Sequence, residues 1–324
     1  MGVRERGERR PRARRRGGAL VRVAGGAVGG AAVMAVALGT GVACGEPLAR
    51  ALGASGWAAR LVAAGTVSAV ALALVALVLR RQGRSWAALG FGAAGPSLRA
   101  FATGVGVTGG CAALVLGAGT AAGWLRWSRP DVPALLAYAV LNGVVGLLLE
   151  ALPEETTLRG LTWTALRERF SAAATAFGTT LLFLGVPGAA SAVAAVLRPL
   201  TGGTPEPVRF APAGQGVGEY LFLLSVFGLM LVAARTALGR APLWTAVGAH
   251  LTFLTVNRVT FEGDVRGAGW FAVPATPDVV LLVPAYLALT TGVFLVIRRA
   301  AARKEANPGR VPRTGPVHEA QGCR

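Results

Sequence analysis

Glu150, Glu154 and Glu155 lie close together in an otherwise apolar stretch of the chain, and Arg159 follows them. Carboxylates at bilayer depth are costly, so such a cluster predicts a functional site. Glu155 and Arg159 are four residues apart with the Glu first, which is the favourable order for an ion pair on a helix. Glu154 lies about 100° around the helix from Glu155 and is left free. A free carboxylate that faces a wet cavity can act as a general base on water.

Pro153 bears on how these carboxylates are held. It predicts a break or kink in the helix before it, and it suits the first position of a new helix. Glu154 and Glu155 would then lie in the first turn of that helix, where the helix dipole stabilises negative charge. A purely structural interpretation is therefore also open, in which the two residues form a charge pair at the headgroup level.

His250 is the one histidine in the apolar part of the sequence, because His318 lies in a polar tail. A lone histidine on an apolar span can hydrogen-bond a neighbouring helix, or it can serve a site together with the upstream carboxylates. With two His in total the chain has no His-Glu-x-x-His zinc motif. Its three Cys are too few for a disulfide framework or a Cys-rich zinc module.

The elements that position these residues follow from the composition. Hydrophobic residues make up 53% of the chain and charged residues only 15%, whereas soluble domains average about 25% charged residues. This predicts an all-α polytopic membrane protein with about eight transmembrane helices. The eight apolar runs cover approximately residues 23–44, 61–79, 100–122, 134–152, 172–190, 217–234, 241–257 and 278–297. Gly25/Gly29 and Gly106/Gly110 have the Gly-x-x-x-Gly spacing that suits close helix packing.

The charge divides the chain into a membrane domain and two basic tails. Residues 1–22 carry nine Arg and two Glu, a net charge of +7, and residues 298–324 carry seven Arg or Lys and two Glu, a net charge of +5. Both tails adjoin apolar spans, which predicts cytoplasmic anchors that face anionic lipid. No aromatic residues alternate with the arginines of the first tail, so we predict no nucleic-acid partner. Residues 23–297 form the predicted eight-span domain, in the plasma membrane with both termini cytoplasmic.

The motif Glu154-Glu155-x-x-x-Arg159, placed after an apolar span, resembles the first motif of the CAAX protease and bacteriocin-processing family. This family includes the type II CAAX prenyl endopeptidases. The stretch 80–91 resembles a loop that these proteins carry after an early span, and the resemblance covers about residues 60–260. It implies an intramembrane endopeptidase that hydrolyses a peptide bond in a membrane-associated peptide or protein. Water would enter through a cavity that is open to the cytoplasmic side. Glu154 would be the general base, and Glu155 and Arg159 would hold it in place.

Two later motifs of the family, Phe-x-x-x-His and His-x-x-x-Asn, are incomplete here. Phe183 to Pro187 matches the first of them, but Pro187 stands where the family has His. His250 to Leu254 matches the second, but Leu254 replaces the Asn. By resemblance, His250 would stabilise the oxyanion. Candidate substitutes for the absent groups are Ser191, Thr179, Thr180 and Asn142.

No cofactor is predicted from the residues themselves. A metal ion has been proposed for the family. In this sequence only Glu154, Glu155 and His250 could ligate it. We therefore predict no bound metal.

Two other functions stay open. The first is a catalytically degenerate member that acts as a membrane binding or scaffold protein, which Pro187 and Leu254 favour. The second is a proton-coupled transporter that uses intramembrane polar residues such as Glu150, Glu154 and His250. Against transport, the sequence shows no clear internal repeat of the kind that transporters often have.

Overall fold

Eight long helices make up most of the chain in a computed structural model that describes residues 10–204 and 206–306. Each predicted apolar run lies almost wholly within one of them, but several helices extend well beyond the run, by up to 15 residues in α4. The helices are α1 Arg10–Ala51, α2 Gly56–Gln82, α3 Ala94–Ala121, α4 Val132–Arg167, α5 Ala172–Leu197, α6 Val217–Ala237, α7 Pro242–Arg266 and α8 Leu282–Ala306.

Seven helices of the described chain are long and apolar enough to cross a membrane. With almost no strand, this confirms the predicted all-α polytopic membrane protein. The remaining helix, α7, has 25 residues and carries charges such as Arg258 and Glu262. Residues 245–250 in its first half are all buried. Protein rather than lipid therefore surrounds this part of α7, which explains why it can be less apolar than its neighbours.

The helices extend into both predicted tails. Helix α1 begins at Arg10, so residues 10–22 of the predicted tail 1–22 are helical. Helix α8 continues to Ala306, so the tail predicted for 298–324 begins as a helix. Residues 1–9 and 307–324, with the rest of both predicted tails, lie outside the described residues.

The two ends of the helix bundle are recognisable by their contacts. At one, Arg84 after α2 bonds Glu168 after α4, and we call this the Arg84 end. At the other, strands β1 (Leu125–Trp127) and β2 (Ala272–Pro274) pair in antiparallel fashion, and we call this the hairpin end. Because consecutive helices alternate in direction, α1 and α7 start at the Arg84 end, whereas α4 and α6 start at the hairpin end.

The predicted break at Pro153 is wrong. Helix α4 runs continuously through it, with π-helical turns at Leu147–Ala151 and Glu155–Thr162. In the π register the amide of residue 153 would bond the carbonyl of Leu148, but proline has no N–H to donate. The hydroxyl of Ser68 supplies the missing hydrogen bond to that carbonyl, at 2.5 Å. Glu154 and Glu155 therefore lie inside a long helix rather than at the start of a new one.

Close helix contacts occur at glycines other than the predicted pairs. A Cβ added at Gly25, Gly29, Gly106 or Gly110 would meet nothing within 4 Å. A Cβ at Gly104 of α3 would overlap the carbonyl oxygen of Thr245, and one at Gly248 of α7 would overlap that of Phe101. This reciprocal contact holds α3 against the first half of α7, next to His250.

Candidate active site

The carboxylate of Glu155 joins two helices at the centre of the candidate site. Its Oε1 atom accepts a hydrogen bond from Nη1 of Arg159 at 3.2 Å, and it lies 3.0 Å from Nδ1 of His250. All three side chains are buried. The predicted Glu155–Arg159 ion pair is confirmed, and the structure adds His250, which the sequence places 95 residues away.

Aromatic rings enclose this cluster. The guanidinium carbon of Arg159 lies 4.6 Å from the ring centroid of Phe183, and His250 meets the ring of Phe227 edge to face at 4.9 Å. Nε and Nη2 of Arg159 and Oε2 of Glu155 have no hydrogen-bond partner among the described residues. Charge attraction in this buried environment, together with the cation–π contact, holds the cluster in place.

The Arg84 end of the cluster is covered by Arg235 of α6. Its guanidinium donates to the carbonyl of Arg159 at 3.2 Å and to the carbonyl of Leu89 at 3.1 Å. Leu89 is buried and belongs to the loop 80–91 that the sequence singled out. This loop therefore packs against the candidate site.

Glu154 faces a cavity of about 350 Å³ on the other side of the cluster. Its side chain is 9% exposed, and it has no hydrogen bond or ion pair with any described residue. The polar residues that line the cavity are Glu150, Glu154, Tyr220 and His250. The predicted free carboxylate is therefore found beside a cavity that could admit water.

All three motif segments of the family resemblance meet at this cavity. Phe183 and Pro187 line it from α5, and His250 and Leu254 line it from α7, opposite Glu154. Pro187 and Leu254 therefore lie beside Glu154, where the resemblance places a His and an Asn, but they present apolar side chains.

Sequence reasoning missed Tyr220. None of its four candidate substitutes, Ser191, Thr179, Thr180 and Asn142, lines the cavity. Tyr220 does, and its hydroxyl has no hydrogen-bond partner among the described residues. Two features of the sequence could have pointed to Tyr220. It is one of only three tyrosines in the chain, and it lies near the start of an apolar span.

The cavity extends towards the hairpin end. Tyr220 lies in the first turn of α6, and together with Leu38 and Pro187 it also lines a second cavity of about 250 Å³ beneath the loop after α5. We predicted a cavity open to the cytoplasmic side, which would be the Arg84 end. The structure instead covers that end with Arg235 and Leu89, because the π-helical carbonyl of Arg159 needs a donor there.

Glu150 is engaged in an ion pair. Arg258 of α7 bonds its carboxylate, and Nη1 of Arg258 also donates to Oδ1 of Asn142 at 3.4 Å. Glu150 therefore belongs to the polar lining of the Glu154 cavity. Asn257 donates to the hydroxyl of Tyr286 at 2.6 Å and does not line the Glu154 cavity.

The site does not fit a metal ion. The described residues include no group of three His, Cys, Asp or Glu side chains arranged to hold one. Oε1 of Glu155 is taken by Arg159 and by His250, whose Nδ1 faces the carboxylate. A second cation beside the Arg159 guanidinium would be repelled.

The chain was compared with family models, curated proteins and solved structures, and none of them matches it.

Proposed function

We propose that this membrane protein is an endopeptidase that hydrolyses a peptide bond in a membrane-associated peptide or protein, with Glu154 as the general base. One observation carries the proposal. Glu154 has no partner among the described residues and lines the same cavity as His250, while Oε1 of its neighbour Glu155 lies 3.0 Å from that histidine. A free carboxylate and an oriented imidazole beside one cavity can together move protons to and from water.

The first chemical step follows from these positions. Glu154 takes a proton from a water molecule in the cavity, and the resulting hydroxide attacks the carbonyl carbon of the scissile peptide bond. The carbon–oxygen double bond opens, and its electron pair moves to the carbonyl oxygen. In the second step that oxygen reforms the double bond, the carbon–nitrogen bond breaks, and Glu154 returns its proton to the leaving nitrogen.

The oxyanion needs hydrogen-bond donors. Nδ1 of His250 lies 3.0 Å from Oε1 of Glu155. The proposed mechanism uses the doubly protonated imidazole, in which Nδ1–H donates to Glu155 and Nε2–H is one donor to the oxyanion. With His250 doubly protonated and both glutamates ionised, the charges of Glu154, Glu155, Arg159 and His250 sum to zero, which suits a buried site. The hydroxyl of Tyr220 is the second donor, in the cavity wall that also contains Pro187.

A terminus-resolved proteomic comparison of membranes tests this function. Cells that contain the wild-type protein, no protein or the Glu154→Gln variant are compared, with the amount of variant matched to wild type. New protein termini that disappear in both mutants support hydrolysis and identify the substrate. Termini that persist in Glu154→Gln at the wild-type level rule out Glu154 as the base.

A second candidate is a catalytically inactive protein that binds a membrane partner. The observation that favours it is the pair of apolar side chains, Pro187 and Leu254, on the cavity wall where the family has polar groups. It predicts that deletion changes the cell whereas Glu154→Gln does not. The transporter alternative is less well supported, because Arg258 holds Glu150, which a proton path would need.

We also propose a plasma-membrane location with both termini in the cytoplasm. Eight alternating helices place residues 10 and 306 at the same end, and the basic sequence at both termini favours the cytoplasmic face with its anionic lipid. The Glu154 cavity would then extend towards the outer face. A cysteine at Gly203 in a chain without its native cysteines tests this: a membrane-impermeant thiol reagent should label it in intact cells, and labelling only after lysis would reverse the orientation.

A further inference from the structure

A separate cavity of about 300 Å³ at the hairpin end is lined by arginines. Arg60 of α2 and Arg258 and Arg266 of α7 contribute to it, together with Trp57 and Asn142. Its volume is at the lower limit of small-ligand sites, which begin at roughly 300 Å³. It is distinct from the Glu154 cavity, although Leu149 lines both.

The side-chain NH₂ group of Asn142 has no hydrogen-bond partner among the described residues. Its Oδ1 accepts from the hydroxyl of Tyr138 at 3.4 Å and from Nη1 of Arg258 at 3.4 Å. Arg258 fixes the orientation of the amide, because its guanidinium can only donate and a flipped group would place Nδ2 against it. Asn142 is 3% exposed, and its Nδ2 has no partner among the described residues. A buried amide of this kind normally has an acceptor.

The charges around the cavity leave one arginine without a carboxylate. Arg258 pairs with Glu150, and Arg266 pairs with Glu262. Arg60 has no ion pair with a described residue, and its guanidinium carbon lies 4.8 Å above the ring centroid of Trp57. Three guanidinium groups against two carboxylates leave one net positive charge beside the unpartnered amide.

We infer that this cavity binds a phosphate group. Arg60 supplies the unbalanced charge, Nδ2 of Asn142 supplies a fixed neutral donor, and Arg258 and Arg266 add guanidinium donors that suit phosphate oxygens. A phosphodiester carries a single negative charge and neutralises the site. Because the site lies where the spans end, the phosphate comes either from a lipid headgroup or from a phosphate in solution.

The site adjoins the candidate active site through one ion pair. Arg258 lines the phosphate cavity, and its partner Glu150 lines the Glu154 cavity. A bound phosphate competes with Glu150 for the Arg258 guanidinium. Phosphate binding itself depends only on the arginines and Asn142, so it stands or falls independently of peptide hydrolysis.

Thermal unfolding of the full-length protein in maltoside micelles tests the inference, because that detergent contains no phosphate. Inorganic phosphate and phosphatidylglycerol are titrated separately, and native mass spectrometry counts bound lipid. We expect at least one of them to raise the unfolding temperature saturably. An effect of inorganic phosphate identifies a soluble ligand, and an effect of the lipid alone identifies a headgroup.

Matched variants make the result specific. Arg60→Gln or Arg266→Gln, both at exposed positions, should raise the half-saturating ligand concentration about tenfold, the equivalent of one lost charge-assisted hydrogen bond. Arg126 is an exposed arginine at the same end, and it does not line the cavity. Arg126→Gln should therefore leave the half-saturating ligand concentration unchanged. The inference is overturned if neither probe shifts the unfolding temperature saturably. It is also overturned if Arg126→Gln and Arg60→Gln raise the half-saturating concentration equally.

Discussion

Nδ1 of His250 lies 3.0 Å from Oε1 of Glu155, and the same carboxylate oxygen accepts from Arg159. This arrangement couples the middle of α4 to the first half of α7. It also leaves Glu154 as the one carboxylate at the cavity with no partner among the described residues. The two adjacent glutamates therefore differ in surroundings. Glu155 is engaged in a buried ionic cluster, and Glu154 faces a cavity.

The first prediction separates the two glutamates by stability. Glu155→Gln leaves the buried Arg159 without its counter-charge, which should lower the free energy of unfolding by about 3–5 kcal/mol. Glu154→Gln removes no pairing and should change it by less than about 1 kcal/mol. Denaturant unfolding in micelles, followed by circular dichroism, measures both, and equal losses would contradict the assigned pairing.

The second prediction concerns the oxyanion donor. Under the proposed function, Tyr220→Phe should lower kcat by about 10²–10³ and change KM little, as the loss of one oxyanion donor does elsewhere. The readout is cleavage of the substrate found by proteomics. Tyr286→Phe is the control, because its hydroxyl meets Asn257 away from the cavity. Equal effects of the two variants would remove Tyr220 from the mechanism.

The third prediction restores the family pattern. Pro187→His and Leu254→Asn together place polar groups on the cavity wall beside Glu154, so they should raise the cleavage rate by up to about 10² if the protein is a protease. The double variant with Glu154→Gln added is the control and should show no cleavage. If the double variant gains no activity and the wild type has none, the inactive binding protein is the better account.

The fourth prediction concerns the support of His250. Gly104→Ala should destabilise the protein by about 1–3 kcal/mol, since its Cβ would overlap the carbonyl of Thr245 and push α7 away. Gly106→Ala on the same helix meets nothing and should stabilise it by up to about 1 kcal/mol through helix propensity. Thermal unfolding of the two variants checks this, and loss of stability in both would contradict the contact.

Much of the fold could be predicted from the sequence because it depends on local properties. A run of about 20 apolar residues must satisfy its backbone hydrogen bonds internally in lipid, so it forms a helix wherever it occurs. The same holds for the Glu155–Arg159 pair, since one helical turn brings residues four apart together. Composition and spacing therefore determined the number of helices and one contact of the site.

The tertiary structure decided the features that depend on distant residues. Ser68 of α2 replaces the hydrogen bond that Pro153 cannot make, and α4 stays continuous where local rules predict a break. The way the helices cross decides three further features. It decides which glycines pack against a neighbouring helix, it places His250 against Glu155 rather than Glu154, and it brings Tyr220 to the cavity. A helix sequence shows which residues share its own face, but the neighbour of that face is set by packing of the whole bundle.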